Sequence, residues 1–291
     1  MKVIGDDFIP DTSYEFFGNK LSMPILAASV AGVDSFGGED VISEKEFCRA
    51  VVLGCKKAGT VGWRGDSYTY SLKNTFGLDA IAEAKGWGVK IVKPREQDLI
   101  KKFYKKAEEI GAIAVGTDLD GCDSFAMTNY NQPVFRKNVN ELKELVMSTS
   151  LPVIFKGIMC VEDALVAKEV GAAAIVVSNH GGRVLDHTPG TADILPLIVK
   201  ELKNKIPIFV DGGIRTGYDV LKMLALGAKG VLIGRDVVRA AVGAGIYGVK
   251  THMKYMQKTL SKAMKMTGCK SLNDISDDII IINSQTRVQY Q

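Results

Sequence analysis

Apolar runs of strand length recur along this chain, each followed by an amphipathic segment. That alternation narrows its possible folds more than any other feature. The second half shows it most cleanly. Pro152 to Lys156, Ala173 to Ser178, Ile208 to Asp211 and Val231 to Gly234 read as buried strands, with helices over Val161 to Val170, Thr191 to Lys203 and Tyr218 to Leu226. In the first half, strands are expected over Met23 to Ala31, Thr60 to Trp63, Val89 to Lys93 and Ala112 to Asp118. Helices are expected over Ser43 to Ala58, Ser71 to Lys85, Glu96 to Ile110 and Asn138 to Ser148, and a last one runs from about Val249 to Thr267. Ser43 with Glu46 three residues on forms a capping box, and Gly111, Gly171 and Gly227 each follow a helix end as C-terminal caps do. Continuous apolar strands alternating with helices predict a parallel sheet covered on both faces. Eight such units predict an α/β fold of the closed (β/α)8 kind, a TIM barrel with eight parallel strands. A doubly wound open sheet is the alternative, but it would need a glycine-rich dinucleotide turn after an early strand. The expectation is one domain over residues 1–291, with a core of about 17–268 and a tail of 269–291.

Composition excludes several classes of function. Hydrophobic residues are 46% and charged residues 24% of the chain, which fits a globular protein with a large core. The formal charge of +4 is spread along the chain without a basic, aromatic-interleaved stripe, so no nucleic-acid partner is expected. No apolar stretch reaches the roughly 18 residues of a membrane span, and the first residues carry no apolar leader core. Cys48, Cys55, Cys122, Cys160 and Cys269 are scattered, with no Cys-x-x-Cys pair. Reduced thiols, a cytoplasmic location and no metal are expected.

Three strand ends carry chemistry. Ser178-Asn179-His180-Gly181-Gly182-Arg183 closes the run Ala173 to Val177 and sets a base three residues from a fixed cation. A His there can accept a proton, and an Arg can grip a carboxylate through two parallel hydrogen bonds. Asp211-Gly212-Gly213-Ile214-Arg215 and Gly234-Arg235 follow the last two strands. Glycines let backbone amides approach an anion, and these two loops are where such barrels hold phosphate. Lys156 ends the run Val153 to Phe155, so its ammonium is expected in the barrel mouth, facing either an anionic ligand edge or a neighbouring strand's carboxylate. Asp118, at the end of the fourth strand, is the leading candidate to orient His180, with Asp120 and Asp123 as alternatives. His187 and His252 look ordinary.

These motifs, together with Ile233-Gly234-Arg235 and Met23-Pro24-Ile25-Leu26-Ala27-Ala28, resemble the FMN-dependent α-hydroxy acid dehydrogenase and oxidase family, which includes glycolate oxidase and lactate oxidase. The resemblance is specific from Pro152 to about Thr267 and weaker from Phe17 to Asp118. It implies FMN at the barrel mouth. Lys156 would contact the flavin ring, and Ser29, Val30 and Ala31 would lie along it. Asp211, Gly212, Gly213, Arg215, Gly234 and Arg235 would hold the ribityl phosphate. His180 would be the base, Asp118 its partner and Arg183 the carboxylate clamp. The chain departs from the family where a Gln and a Tyr are usual: Lys93 and Arg95 stand there. Lys93 would then join the cofactor set and Arg95 the substrate set. Gly116 replaces a Thr, Phe125 stands about where an Arg is usual, and the second-strand Ser falls near Gly65 or Asp66. The family's N-terminal helical segment, with a substrate-contacting Tyr, is expected to be missing.

The resulting expectation is an FMN-dependent oxidoreductase that converts a small anionic 2-hydroxy acid to a 2-oxo acid. The alternatives are a flavin-dependent isomerase, similar to type 2 isopentenyl diphosphate isomerase, and a flavin-binding barrel that is inactive without a partner segment. A flavin-free phosphate barrel is a blander reading. By resemblance, a homo-oligomer, commonly a tetramer, is expected.

Overall fold

The computed structural model describes residues 1–38 and 40–281. The last ten positions of the expected tail therefore lie outside the described residues. A hairpin of β1 (Tyr14–Phe16) and β2 (Asn19–Leu21) comes first. Its turn residues Phe17 and Gly18 have φ of 44° and 75°, both positive as in a type I′ hairpin turn. The parallel strands follow in chain order: β3 (Ile25–Ala27), β4 (Trp63–Arg64), β5 (Val89–Val92), β6 (Ala114–Asp118), β7 (Val153–Ile158), β8 (Ala174–Val177), β9 (Ile208–Val210) and β10 (Gly230–Ile233). The helices are α1 (Glu44–Ala58), α2 (Phe76–Glu83), α3 (Gln97–Glu109), α4 (Phe125–Asn129), α5 (Val139–Met147), α6 (Val161–Glu169), α7 (Thr191–Leu202), α8 (Gly217–Ala225) and α9 (Arg235–Thr267).

The eight parallel strands run in the order β3-β10-β9-β8-β7-β6-β5-β4. The sheet closes where Ala27 bridges Gly62 and the Ala27 amide donates to the Val61 carbonyl at 3.1 Å. The eight-stranded parallel barrel is thus present. Alternation sorts the strand residues into two cores. Leu26, Trp63, Ile91, Ile154, Val176, Phe209 and Leu232 fill the interior. Ile25, Val92, Val115, Phe155, Ile175, Val210 and Val231 pack against the helices. The hairpin seals one end of the interior. Phe16 lies 5.6 Å from Phe209 edge-on, and Phe209 lies 5.9 Å from Trp63.

Several boundaries differ from the sequence reading. β3 covers only the centre of Met23 to Ala31, because Ser29 to Ala31 turn over the barrel mouth. The second strand is shifted to Trp63–Arg64. Helix formation in 71–85 begins only at Phe76, since Ser71 and Asn74 exchange backbone hydrogen bonds in a turn. The final helix starts at Arg235 and is broken at Ala244 and Gly245, where φ is −153° and 54°. The Ser43/Glu46 capping box is present on α1.

Candidate active site

The same alternation carries charge to the barrel's inner face at the carboxyl end. In β6, Ala114 faces inward, and so does Asp118 four residues on. In β7, Ile154 faces inward, and so does Lys156. The two are register partners across the β6–β7 ladder. Lys156 Nζ lies 3.1 Å from Asp118 Oδ1, 3.6 Å from Asp211 Oδ2 and 3.0 Å from Ser178 Oγ. Lys93 Nζ takes the other Asp118 oxygen at 2.7 Å. Burial opposes ionisation of Asp118, but the charges of His180, Lys156 and Lys93 outweigh it and hold its carboxyl well below the usual range. Burial likewise opposes the charge on Lys156, yet Asp118 and Asp211 keep its ammonium protonated above the ordinary lysine value. Lys156 therefore pairs with a neighbouring strand's carboxylate and also lines the mouth.

His180 sits just past β8 at φ 56°, followed by Gly181 and Gly182 at 66° and 77°. A non-glycine residue in that region is held there by its surroundings. The His180 amide donates to Ser178 Oγ at 3.2 Å, and the Gly181 amide donates to Asn179 Oδ1 at 3.1 Å. This tight turn projects the imidazole back over the barrel. Its Nδ1 is 3.2 Å from each oxygen of Asp120 and 3.5 Å from Asp118 Oδ2. Asp120, an alternative in the sequence reading, thus lies nearer to His180 than its leading candidate Asp118, which two lysines also hold. Arg183 Nε donates to the His180 carbonyl at 3.1 Å, and its guanidinium has no ion-pair partner among the described residues.

Two adjoining cavities share Ser29, Val30, His180 and Arg183 as a common wall. The larger, about 470 Å³, is lined by Lys156, by Asp211 to Arg215, and by Gly234, Arg235 and Arg239. The smaller, about 240 Å³, is lined by Ala31, Tyr68, Lys93, Asp118, Phe125 and Met127 among others. Lys93, expected in the cofactor set, borders only the smaller one. Arg95 borders neither. Its guanidinium is buried and grips Asp66 bidentately at 2.7 and 3.0 Å, and it also donates to the Ser67 and Tyr70 carbonyls and to Gln132. Every arm is taken inside the protein, so the structure removes Arg95 from the substrate-binding set. The departure at Gly116 also has a cause. A Cβ there would lie 2.2 Å from the Ile154 carbonyl oxygen, and the adjacent Thr117 faces outward onto the Tyr104 hydroxyl at 2.7 Å.

The larger cavity fits a phosphate-bearing flavin. Gly212 and Gly213 have φ of 101° and 72°, and a Cβ at Gly213 would meet nothing within 4 Å, so the backbone is open to a ligand. Arg215 and Arg235 have no ion-pair partner among the described residues. Asp211 Oδ1 is buried without a hydrogen-bond partner among them, an acceptor that a ribityl hydroxyl would satisfy. The residues that sequence reasoning passed over are Ser178, which braces both Lys156 and His180, and Tyr68, whose hydroxyl donates to Asp34 and whose ring stacks on Tyr130. Ser178 lay within the key motif. Tyr68 carried no local signal, because its role depends on loops brought together only by the fold.

Comparison with known proteins agrees with this geometry. A sequence model of the FMN-dependent dehydrogenase family matches residues 123–282. Glycolate oxidase 1 from Oryza sativa subsp. indica is 46% identical over 306 residues, covering 91% of this chain and 79% of that one. The 2-hydroxyacid oxidase of Dictyostelium discoideum is 45% identical over 141 residues, covering 48% of this chain and 36% of that one. Several other matches to glycolate oxidases are shorter: glycolate oxidase 3 from the same rice subspecies is 44% identical over 144 residues, covering 50% of this chain and 39% of its own length. Among solved structures, mandelate oxidase superposes with a TM-score of 0.80 at 27% identity, covering 94% of this chain and 82% of that one. A mandelate oxidase variant described with a monooxide FMN adduct superposes at 0.76 and 28% identity, covering 93% of this chain and 83% of that one. The family match spans more than half of the chain and the rice relative extends it over nearly all of it: the chain belongs to the FMN-dependent dehydrogenase family, and its cofactor is FMN.

Proposed function

We propose that this protein oxidises a 2-hydroxy acid to a 2-oxo acid. The single observation that carries this reading is the wall shared by the two cavities. His180 and Arg183, a cation with no ion pair among the described residues, stand between the larger, arginine-lined cavity and the smaller one of about 240 Å³. FMN, when bound, would supply the acceptor for the Cα hydrogen and the two electrons that leave with it, the equivalent of a hydride. Arg183 binds the substrate carboxylate with the guanidinium nitrogens that its own backbone contact leaves open. His180 takes the hydroxyl proton at Nε2, because Nδ1 is directed at carboxylates. Gly213, Arg215, Gly234 and Arg235 hold the phosphate, and Lys156 contributes a fixed positive charge at the wall of the larger cavity. Ser29 and Val30 form the roof between them, and Ala31 borders the smaller cavity alone.

The oxidase names of the relatives favour this reaction over the isomerase reading. No helix among the described residues is long and apolar enough to cross a membrane. The five cysteines are all free, which supports a reducing compartment such as the cytosol. A homo-oligomer rests on family likeness, and light scattering on the FMN-loaded protein would decide it.

The test is a screen of glycolate, lactate, mandelate and longer 2-hydroxy acids, with trapping of the 2-oxo product. At least one acid is expected to turn over. Arg183→Met is expected to raise KM by about 100-fold or more, the loss typical of a charge-assisted carboxylate contact. No product from any acid, with FMN bound, would contradict the proposal.

A further inference from the structure

We propose that Asp120, and not Asp118, is the positioning residue for His180, and that Lys93 is the cause. This rests on His180 being the base of the reaction above. Each Asp118 oxygen is already held by an ammonium: Oδ1 by Lys156 at 3.1 Å and Oδ2 by Lys93 at 2.7 Å. Asp118 neutralises two buried or half-buried cations, which it could not leave unpaired without large cost. Asp120 has no lysine or arginine partner among the described residues and presents both oxygens to His180 Nδ1 at 3.2 Å.

Two glycines make this arrangement possible. A Cβ on Gly157, which has φ 90°, would lie 2.5 to 2.7 Å from the Asp120 side chain. A Cβ on Gly121 would lie 2.7 Å from Lys93 Cδ and 2.9 Å from its Nζ. The bare backbone of one makes room for the carboxylate that faces the imidazole. The bare backbone of the other makes room for the lysine that occupies the Asp118 oxygen facing the imidazole, the one 3.5 Å from Nδ1. The Nδ1–H group donates a hydrogen bond to Asp120, so Nε2 is left as the proton acceptor.

The chain has only three histidines, so the ring nitrogens of the FMN-loaded, 15N-histidine-labelled protein can be resolved by NMR. The neutral His180 ring is expected as the Nδ1–H tautomer. Asp120→Ala is expected to lose that signature and to lower kcat about 100-fold with KM nearly unchanged. Adding Lys93→Gln to Asp120→Ala frees an Asp118 oxygen 3.5 Å from Nδ1, and is expected to restore the tautomer and about tenfold of kcat. An unchanged tautomer in Asp120→Ala, or no rescue by Lys93→Gln, would overturn the proposal. Asp120→Asn covers an alanine variant that does not fold: kcat about tenfold lower is expected, and wild-type kcat overturns the idea. A tautomer that responds as expected, in a protein that turns over no hydroxy acid, would leave the positioning role standing and reject the reaction.

Discussion

Arg64 and Lys90 are charged side chains on strands whose outer neighbours are apolar. Their exposures are 0% and 1%, and they lie in the layer between the barrel and its helices. Arg64 lies 4.7 Å over the Phe47 ring and 3.6 Å from Glu44, with no guanidinium hydrogen bond among the described residues. Glu44 in turn accepts from the Gly32 and Val33 amides at 3.0 and 2.8 Å, so this pair anchors the loop that roofs the cavities. Lys90 donates to the Gly65 carbonyl and faces the Tyr70 ring at 4.9 Å. Burial pulls its pKa from 10.5 down to about 8. Between those two values the unfolded chain binds more protons than the fold, so the cost of burying the ammonium fades as pH rises. Lys90→Met is therefore expected to be more stable than the parent by on the order of 2 kcal/mol at pH 7, with the gap closing by pH 10. Urea denaturation at both values checks this, and a gap that widens with pH would refute it. Neither residue was singled out from the sequence. Lys90 lay inside an expected strand, and only the three-dimensional layer shows which face it takes.

At the scale of elements, the loops that carry chemistry depend on close helix and strand packing behind them. The α8 helix starts two residues after Arg215, with Thr216 and Asp219 forming its capping box. The Gly217 amide donates to Thr259 Oγ1 on α9 at 2.9 Å, and a Cβ on Gly217 would fall 1.9 Å from the Leu260 amide nitrogen. Backbone meets backbone there, so neither side can yield without moving a helix. Gly217→Ala is expected to cost about 3 kcal/mol or more, and to weaken FMN binding by displacing the loop that carries Arg215. Thermal denaturation with flavin titration measures both, and wild-type values for the two would contradict this packing account. The helix and strand types were legible because apolar period and caps agree, as in α1 and α8. The β1–β2 hairpin was not, since three-residue strands give too short an alternation to distinguish from a loop. The break at Ala244–Gly245 was missed for a related reason: a glycine within a helical pattern does not by itself say whether the helix continues.

For the molecule as a whole, the barrel and the meeting of its two glycine–arginine loops at one cavity were readable because they depend on local motifs placed by a regular architecture. Asp211 to Arg215 and Gly234 to Arg235 border the same cavity simply because β9 and β10 are neighbours. The substrate end was less readable. Arg95 looked like a substrate cation because it stands where the family usually has a Tyr, but Asp66 from the preceding loop draws it into the interior. Asp118 looked like the partner of the base, but Lys93 and Lys156 reach it more closely. Charge pairing between loops from different strands decided both, and spacing along one strand does not report it. The most direct measurement for the central claim is flavin absorbance on anaerobic mixing of the FMN-loaded protein with 2-hydroxy acids. The account predicts that at least one acid bleaches the wild type while His180→Ala stays yellow with its FMN still bound; a wild type that stays yellow with every acid, or a His180→Ala variant that bleaches at the same rate, would contradict it.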